Sequence, residues 1–115
     1  MEFNEHLGMY TFECDGIIFG WDDEPKGDYQ SQVKAIAENY KKQLPNIIEF
    51  MLPDLNDFYG TVKAEEVEEK LGKPLINLDN GQVTYYEQLF DDVHIFSFEF
   101  FDDEFDDLEY FAIDG

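Results

Sequence analysis

Over Met9 to Cys14, Tyr10 and Phe12 alternate with Thr11 and Glu13, the period of two that marks a half-buried strand. Asp15-Gly16 follows, a pair that tolerates positive φ and suits a two-residue type I′ turn, and Ile17 to Trp21 closes the hairpin. Residues 1–8 are polar and are expected to be loosely attached. Asp22 to Asp28 reads as a loop punctuated by Pro25 and Gly27. From Tyr29 the period changes to that of a helix. Tyr29, Val33, Ile36, Ala37, Tyr40 and Leu44 fall on one face, with Asp28 placed to cap it. Pro45 is expected to end this helix or begin the next. The stripe resumes through Ile47, Ile48, Met51, Leu52, Leu55, Phe58 and Tyr59. Pro53 lacks a backbone donor, which predicts a break or kink there, and Gly60 is the expected stop.

Lys63 to Leu71 forms a short charged helix with Gly72 and Pro74 beyond its end. Leu75–Leu78 and Gln82–Tyr86 read as strands around Asp79-Asn80-Gly81. The last hairpin holds a large share of the chain's aromatic residues. Its first strand, Val93 to Phe101, sets His94, Phe96, Phe98 and Phe100 against Val93, Ile95, Ser97 and Glu99. A carboxylate-rich turn, Asp102–Asp107, leads to the second strand, Leu108–Ile113. Strands on either side of a helical middle predict an α+β fold: an antiparallel sheet from N- and C-terminal hairpins, with helices packed on one face. No linker divides the chain, so residues 1–115 are expected to form a single domain. Helices that cover the Phe-rich face only in part would leave a patch for a second copy of the chain, a homodimer.

Composition changes this picture mainly through charge. Twenty-eight acidic residues face seven basic ones, for a net charge of −21, and all seven are lysines. Direct binding to DNA, RNA or an anionic membrane surface is therefore not expected, because such binders need cationic footprints and favour arginine. A field this negative steers cationic partners, and it also serves solubility. Cys14 is the only cysteine, which excludes an internal disulfide and a cysteine-cluster zinc site and suits a reducing cytoplasm. The N-terminus lacks the charge and apolar run of a signal peptide, and no stretch is long enough for a membrane span.

Catalytic constellations are sparse. Ser31 and Ser97 are the only serines, and neither sits in a glycine-flanked elbow. Cys14 lies beside an acidic turn, where neighbouring carboxylates work against a thiolate. There is no glycine-rich phosphate loop. Asp102, Glu104 and Asp106 match positions 1, 3 and 5 of a calcium loop. Asp107 stands where its glycine is needed and Ile113 where its bidentate glutamate is needed. No catalytic residue, cofactor or metal ligand is therefore assigned.

What remains is acidic surface with aromatic neighbours. Asp22, Asp23 and Glu24 follow Trp21; Asp91 and Asp92 follow Phe90; Phe105 sits among Asp102, Asp103, Glu104, Asp106 and Asp107. Trp21, Phe105 and these carboxylates are the expected contact set for a basic protein partner, aromatics anchoring and charges steering. Phe90 is expected to face inward. For Trp21 an inward position is an equal alternative. Two other functions stay open: a divalent-metal-dependent enzyme using Asp102, Asp103 and Asp106, and a soluble domain whose charge has no partner.

The opening hairpin into Trp21, the Tyr29–Tyr59 helical stretch and the closing His94-Ile-Phe-Ser-Phe-Glu-Phe with Ile113-Asp114-Gly115 resemble small acidic bacterial proteins of unknown function. Some of these are thought to be immunity proteins that accompany polymorphic toxins. The resemblance implies a non-enzymatic inhibitor or nucleic-acid mimic. It is one of pattern over most of the chain, and no functional residue is carried over.

Overall fold

The computed structural model describes residues 1–115. Its elements are β1 (Glu2–Asn4), β2 (Met9–Cys14), β3 (Ile17–Trp21), α1 (Tyr29–Tyr59), α2 (Ala64–Lys70), β4 (Leu75–Asn77), β5 (Gln82–Tyr85), β6 (Ile95–Phe100) and β7 (Leu108–Asp114). The seven strands form one sheet in chain order. Every pairing is antiparallel except that of β3 with β4, where Ile18, Phe19 and Gly20 run parallel to Leu75, Ile76 and Asn77. Parallel neighbours need a crossover, and here α1 and α2 supply it. The fold is α+β, with the helical middle set between two blocks of strands.

Alternation along each strand fixes the buried face. Phe12, Phe19, Ile76, Val83 and Phe98 form one row across five strands. Phe96, Phe98 and Phe100 all point into the core. The Phe-rich face is therefore covered within the chain itself. The helix crosses this face as a chain of ring contacts. Tyr29 meets Phe12 and Trp21, Phe50 meets Phe98 and Phe111, and Tyr59 meets Phe90 and Phe96. Phe90 is half-buried in this packing, so it faces inward as expected.

Two expectations are corrected. α1 runs unbroken for 31 residues through both Pro45 and Pro53. Each proline removes a backbone donor. Ile47, Ile48, Met51 and Leu55, all buried, hold the surrounding turns to the sheet, and both prolines lie on the exposed side. Apolar burial thus outweighs the local penalty. The N-terminal residues are also not loose: Glu2, Phe3 and Asn4 pair with Thr11, Tyr10 and Met9, and Phe3 packs edge-on against Tyr10.

The local signals otherwise hold. Asp15 and Gly16 have φ of 54° and 77°, as a type I′ turn demands. Asp28 caps α1 by accepting from the Ser31 N–H at 3.2 Å. The core also contains one polar pair that no pattern announced, the Tyr40 and Tyr85 hydroxyls, 2.6 Å apart.

Phe98 has no exposed surface. Phe98→Ala is expected to cost about 3–5 kcal/mol in urea unfolding. Burial pushes the Tyr40 hydroxyl up to about 12 and Tyr85 well above the ordinary tyrosine value. The folded state therefore holds these protons more tightly than the unfolded chain. That stabilisation is complete below about pH 10 and is lost as pH rises through the raised values. The Tyr40→Phe/Tyr85→Phe double variant should show a flatter alkaline decline when urea midpoints are compared between pH 8 and pH 11.

Candidate functional site

Strand directions sort the acidic clusters onto two ends of the sheet. β3 and β4 finish, β5 begins, β6 finishes and β7 begins at the same end. The Asp22-Asp23-Glu24 loop, the Asp79 turn and the Asp102–Asp107 turn therefore gather there. Asp91 and Asp92 lie at the opposite end, before β6. The first group is joined by hydrogen bonds: the Asp22 N–H donates to the Asp79 carboxylate at 2.7 Å, and the Phe100 N–H donates to the Gly81 carbonyl at 2.9 Å. Lys26 is the one cation in the 22–28 loop.

Neither aromatic expected to anchor a partner is on the surface. Trp21 is 5% exposed and Phe105 1% exposed. Trp21 continues the inward alternation of Ile17 and Phe19 and packs on Tyr29. Phe105 adopts φ of 59°, which turns its side chain back beneath the acidic turn onto Phe100 and Tyr40, with ring centroids 4.9 and 5.7 Å away. The turn is thus a carboxylate shell with an aromatic plug. Asp102 is its internal brace, accepting from the N–H groups of Glu104, Asp106 and Asp107 at 2.9–3.1 Å. Asn39 and Gln43 of α1 tether it through the Asp103 carbonyl and the Asp106 carboxylate. The Asp102, Glu104 and Asp106 oxygens lie within 4.8 Å of one another, and Asp103 lies outside that group. The three N–H bonds to Asp102, the two tethers from α1 and the Phe105 plug together hold the turn in this shape.

The exposed aromatics at this end are different ones. Phe101 is 54% exposed and Tyr110 is 67% exposed, and their rings meet edge-on at 6.3 Å. Alternation explains Phe101, since it follows the inward Phe100. Tyr110 is exposed by a bulge: Ser97 pairs with Ala112 but Glu99 with Glu109, so two residues of β7 oppose one of β6. Tyr110 takes φ of 62°, a left-handed conformation that costs a side-chain-bearing residue about 1–2 kcal/mol. Directly beside it Glu99 faces Glu109, a like-charge cross-strand pair that also destabilises. An exposed tyrosine in a strained backbone and an unrelieved carboxylate pair converge on one spot, where functional sites concentrate such costs.

At the other end Asp91 is committed to the fold. Its carboxylate accepts from the Tyr59 hydroxyl at 2.5 Å, from the Val93 and His94 N–H groups at 3.1 and 2.9 Å, and from Gln88 at 3.2 Å. It also lies 2.7 Å from His94 Nδ1. Buried Gln88 binds the same loop through the Asp91 and His94 carbonyls and the Phe90 N–H. Partial burial alone would raise the Asp91 carboxyl. The Tyr59 and His94 hydrogen bonds and the two backbone donors outweigh it and hold the group well below the usual carboxylate range. Tyr59 is driven well above the ordinary tyrosine value, by burial first and then by Asp91. Asp91 and His94 form an oriented acid–imidazole pair, with His94 edge-on against Phe58. Asp91 therefore holds a loop rather than offering a free charge, unlike exposed Asp92.

Of the lysines, only Lys70 and Lys73 pair with carboxylates, Glu66 and Glu13. From Leu75 to Gly115 there are twelve acidic residues and no lysine or arginine. That asymmetry was readable in the sequence, and it marks the β4–β7 half as the acidic side. No helix is long and apolar enough to cross a membrane. No protein-family model, curated protein or solved structure matches the chain.

Because the folded pKa of Asp91 is depressed, its contribution to stability is complete above the unfolded carboxyl value, about 4, and is lost as pH falls below it. Asp91→Asn should be less stable than wild type at pH 7. The difference between the two urea midpoints should shrink steadily below about pH 4.

Proposed function

We propose that the chain is a non-enzymatic acidic binding protein that engages and neutralises a basic protein partner through the acidic end of its sheet. One observation carries the reading: the exposed Phe101–Tyr110 pair stands among uncompensated carboxylates on the half of the chain without any lysine. Aromatic surface supplies desolvated contact area, and the carboxylates around it accelerate encounter with a cationic surface. Asp22, Asp23, Glu24, Asp103, Glu104, Asp106 and Asp107 are the steering charges. Phe101 and Tyr110 take the anchoring role in place of Trp21 and Phe105, and Asp91 and Asp102 serve as scaffold. A basic partner would also relieve the Glu99–Glu109 repulsion, so part of the strain in the free protein is returned on binding. The same surface repels DNA, RNA and anionic lipid. In this reading the chain acts as an immunity-like inhibitor or as a mimic of nucleic-acid charge.

The test is capture by tagged protein from the lysate of its own source cell at 0.1 M and 1 M salt, where the screening length falls from about 10 Å to about 3 Å. One basic protein should be retained at low salt and released at high salt. Tyr110→Gly should lose this capture while remaining folded, and should be up to about 1 kcal/mol more stable, because glycine relaxes the left-handed backbone. A partner held equally at both salts and equally by Tyr110→Gly would overturn the reading.

A further inference from the structure

A second feature lies along the same edge strand. Between the C-terminal part of α1 and the outer edge of β7 is an open cleft of about 280 Å³, lined by Asp54, Asp57, Phe58, Phe111 and Ile113. We propose that this cleft receives one cationic side chain, an arginine or a lysine, from the basic partner. The proposal rests on the binding reading above and extends it to a specific socket.

The lining has the chemistry of such a side chain in the right order. Phe111 and Ile113 are half-buried and form an apolar wall for the methylene stem. Phe58 is 51% exposed, with its ring held edge-on by Tyr59 and His94 at 4.8 and 4.9 Å, so that surface remains for a cation. Asp54 and Asp57 are three residues apart on α1 and so share one helix face. Both are exposed, and neither takes part in any of the protein's ion pairs or side-chain hydrogen bonds. Two like charges on one helix face repel until a cation joins them.

Other occupants fit less well. The volume is below the range of about 300–1,000 Å³ usual for small-molecule and cofactor pockets. A hard divalent cation seeks about six oxygen ligands, and this wall is three-fifths hydrocarbon by residue. A second copy of the chain carries a net charge of −21 and would be repelled. Continuity with the proposed surface favours the same partner. Tyr110 and Phe111 are neighbours on β7, and Phe111 turns toward Phe50 and Phe96 while Tyr110 turns to Phe101. The aromatic pair and the cleft therefore flank β7 from opposite faces of the sheet, and a basic partner that wraps around this edge strand would meet both.

The probe is N-acetyl-arginine amide, titrated into isotope-labelled protein and followed by amide NMR, with neutral N-acetyl-citrulline amide as control. Saturable shifts should centre on Asp54–Phe58 and Phe111–Ile113, with affinity at least about tenfold weaker for citrulline. Asp54→Asn/Asp57→Asn, both surface changes, should abolish saturation while leaving the rest of the spectrum in place. Arginine shifts of equal size at Asp22–Glu24 and Asp102–Asp107, or shifts unaltered by the double variant, would overturn the socket. The two readings separate in the capture assay. Salt-sensitive capture that depends on Tyr110, with no localised arginine shift, removes the socket and keeps the binding surface. Localised arginine binding together with capture indifferent to salt and Tyr110 removes that surface and leaves the cleft as a cation site.

Discussion

The burial of α1 against the sheet is the interaction on which the rest of the molecule depends. Fully burying a side chain such as Ile47, Met51 or Leu55 contributes about 1.5–3 kcal/mol, and the helix places a series of them on the Phe19, Phe96 and Phe98 face. This is what carries α1 through two prolines. It also orders the surface, because Tyr40 reaches Tyr85 in the sheet and Phe105 beneath the acidic turn, while Tyr59 reaches Asp91 at the other end. Both acidic ends of the sheet are thus anchored to one helix.

Against this packing stands the charge. Carboxylates crowd turns in which cations are few, Lys26 being the one in the 22–28 loop, and the protein manages many of them in two ways. Some are absorbed: Asp28, Asp79, Asp91 and Asp102 each accept backbone N–H groups, converting a repelling charge into a cap or a turn brace. The others are left to solvent, and around Phe101 and Tyr110 they are left beside exposed aromatic surface. This division separates carboxylates that build the fold from those available to a partner, although both occur in the same short sequence runs.

Tyr110 shows how the two demands meet. The bulge that exposes it also interrupts β7, the edge strand, and with Glu109 and Asp114 nearby it makes that edge a poor template for another copy of the chain. The same irregularity leaves the Tyr110 ring exposed on the strand. Protection of the edge and recognition along it are, in the proposed reading, served by one local distortion.

Much of the fold was legible along the chain because it follows from periodicity and local turn chemistry. The alternation in β2, β3 and β6, the helical stripes, the Asp15-Gly16 turn and the Asp28 cap each need only near neighbours, and the α+β class follows from their order. The candidate site was legible in its chemistry but not in its members. The acidic clusters and the need for aromatic anchors came from composition, whereas which aromatics are exposed depended on a left-handed φ at Phe105 and a bulge at Tyr110. Neither has a signature in residue type, since glycine is the usual occupant of such positions. Tertiary packing also decided the continuity of α1, the parallel β3–β4 pairing that brings residues 22–24 and 102–107 to one end, and the capture of Asp91 by Tyr59. Each of these depends on contacts between residues far apart in the chain, whose free energy outweighs a local preference.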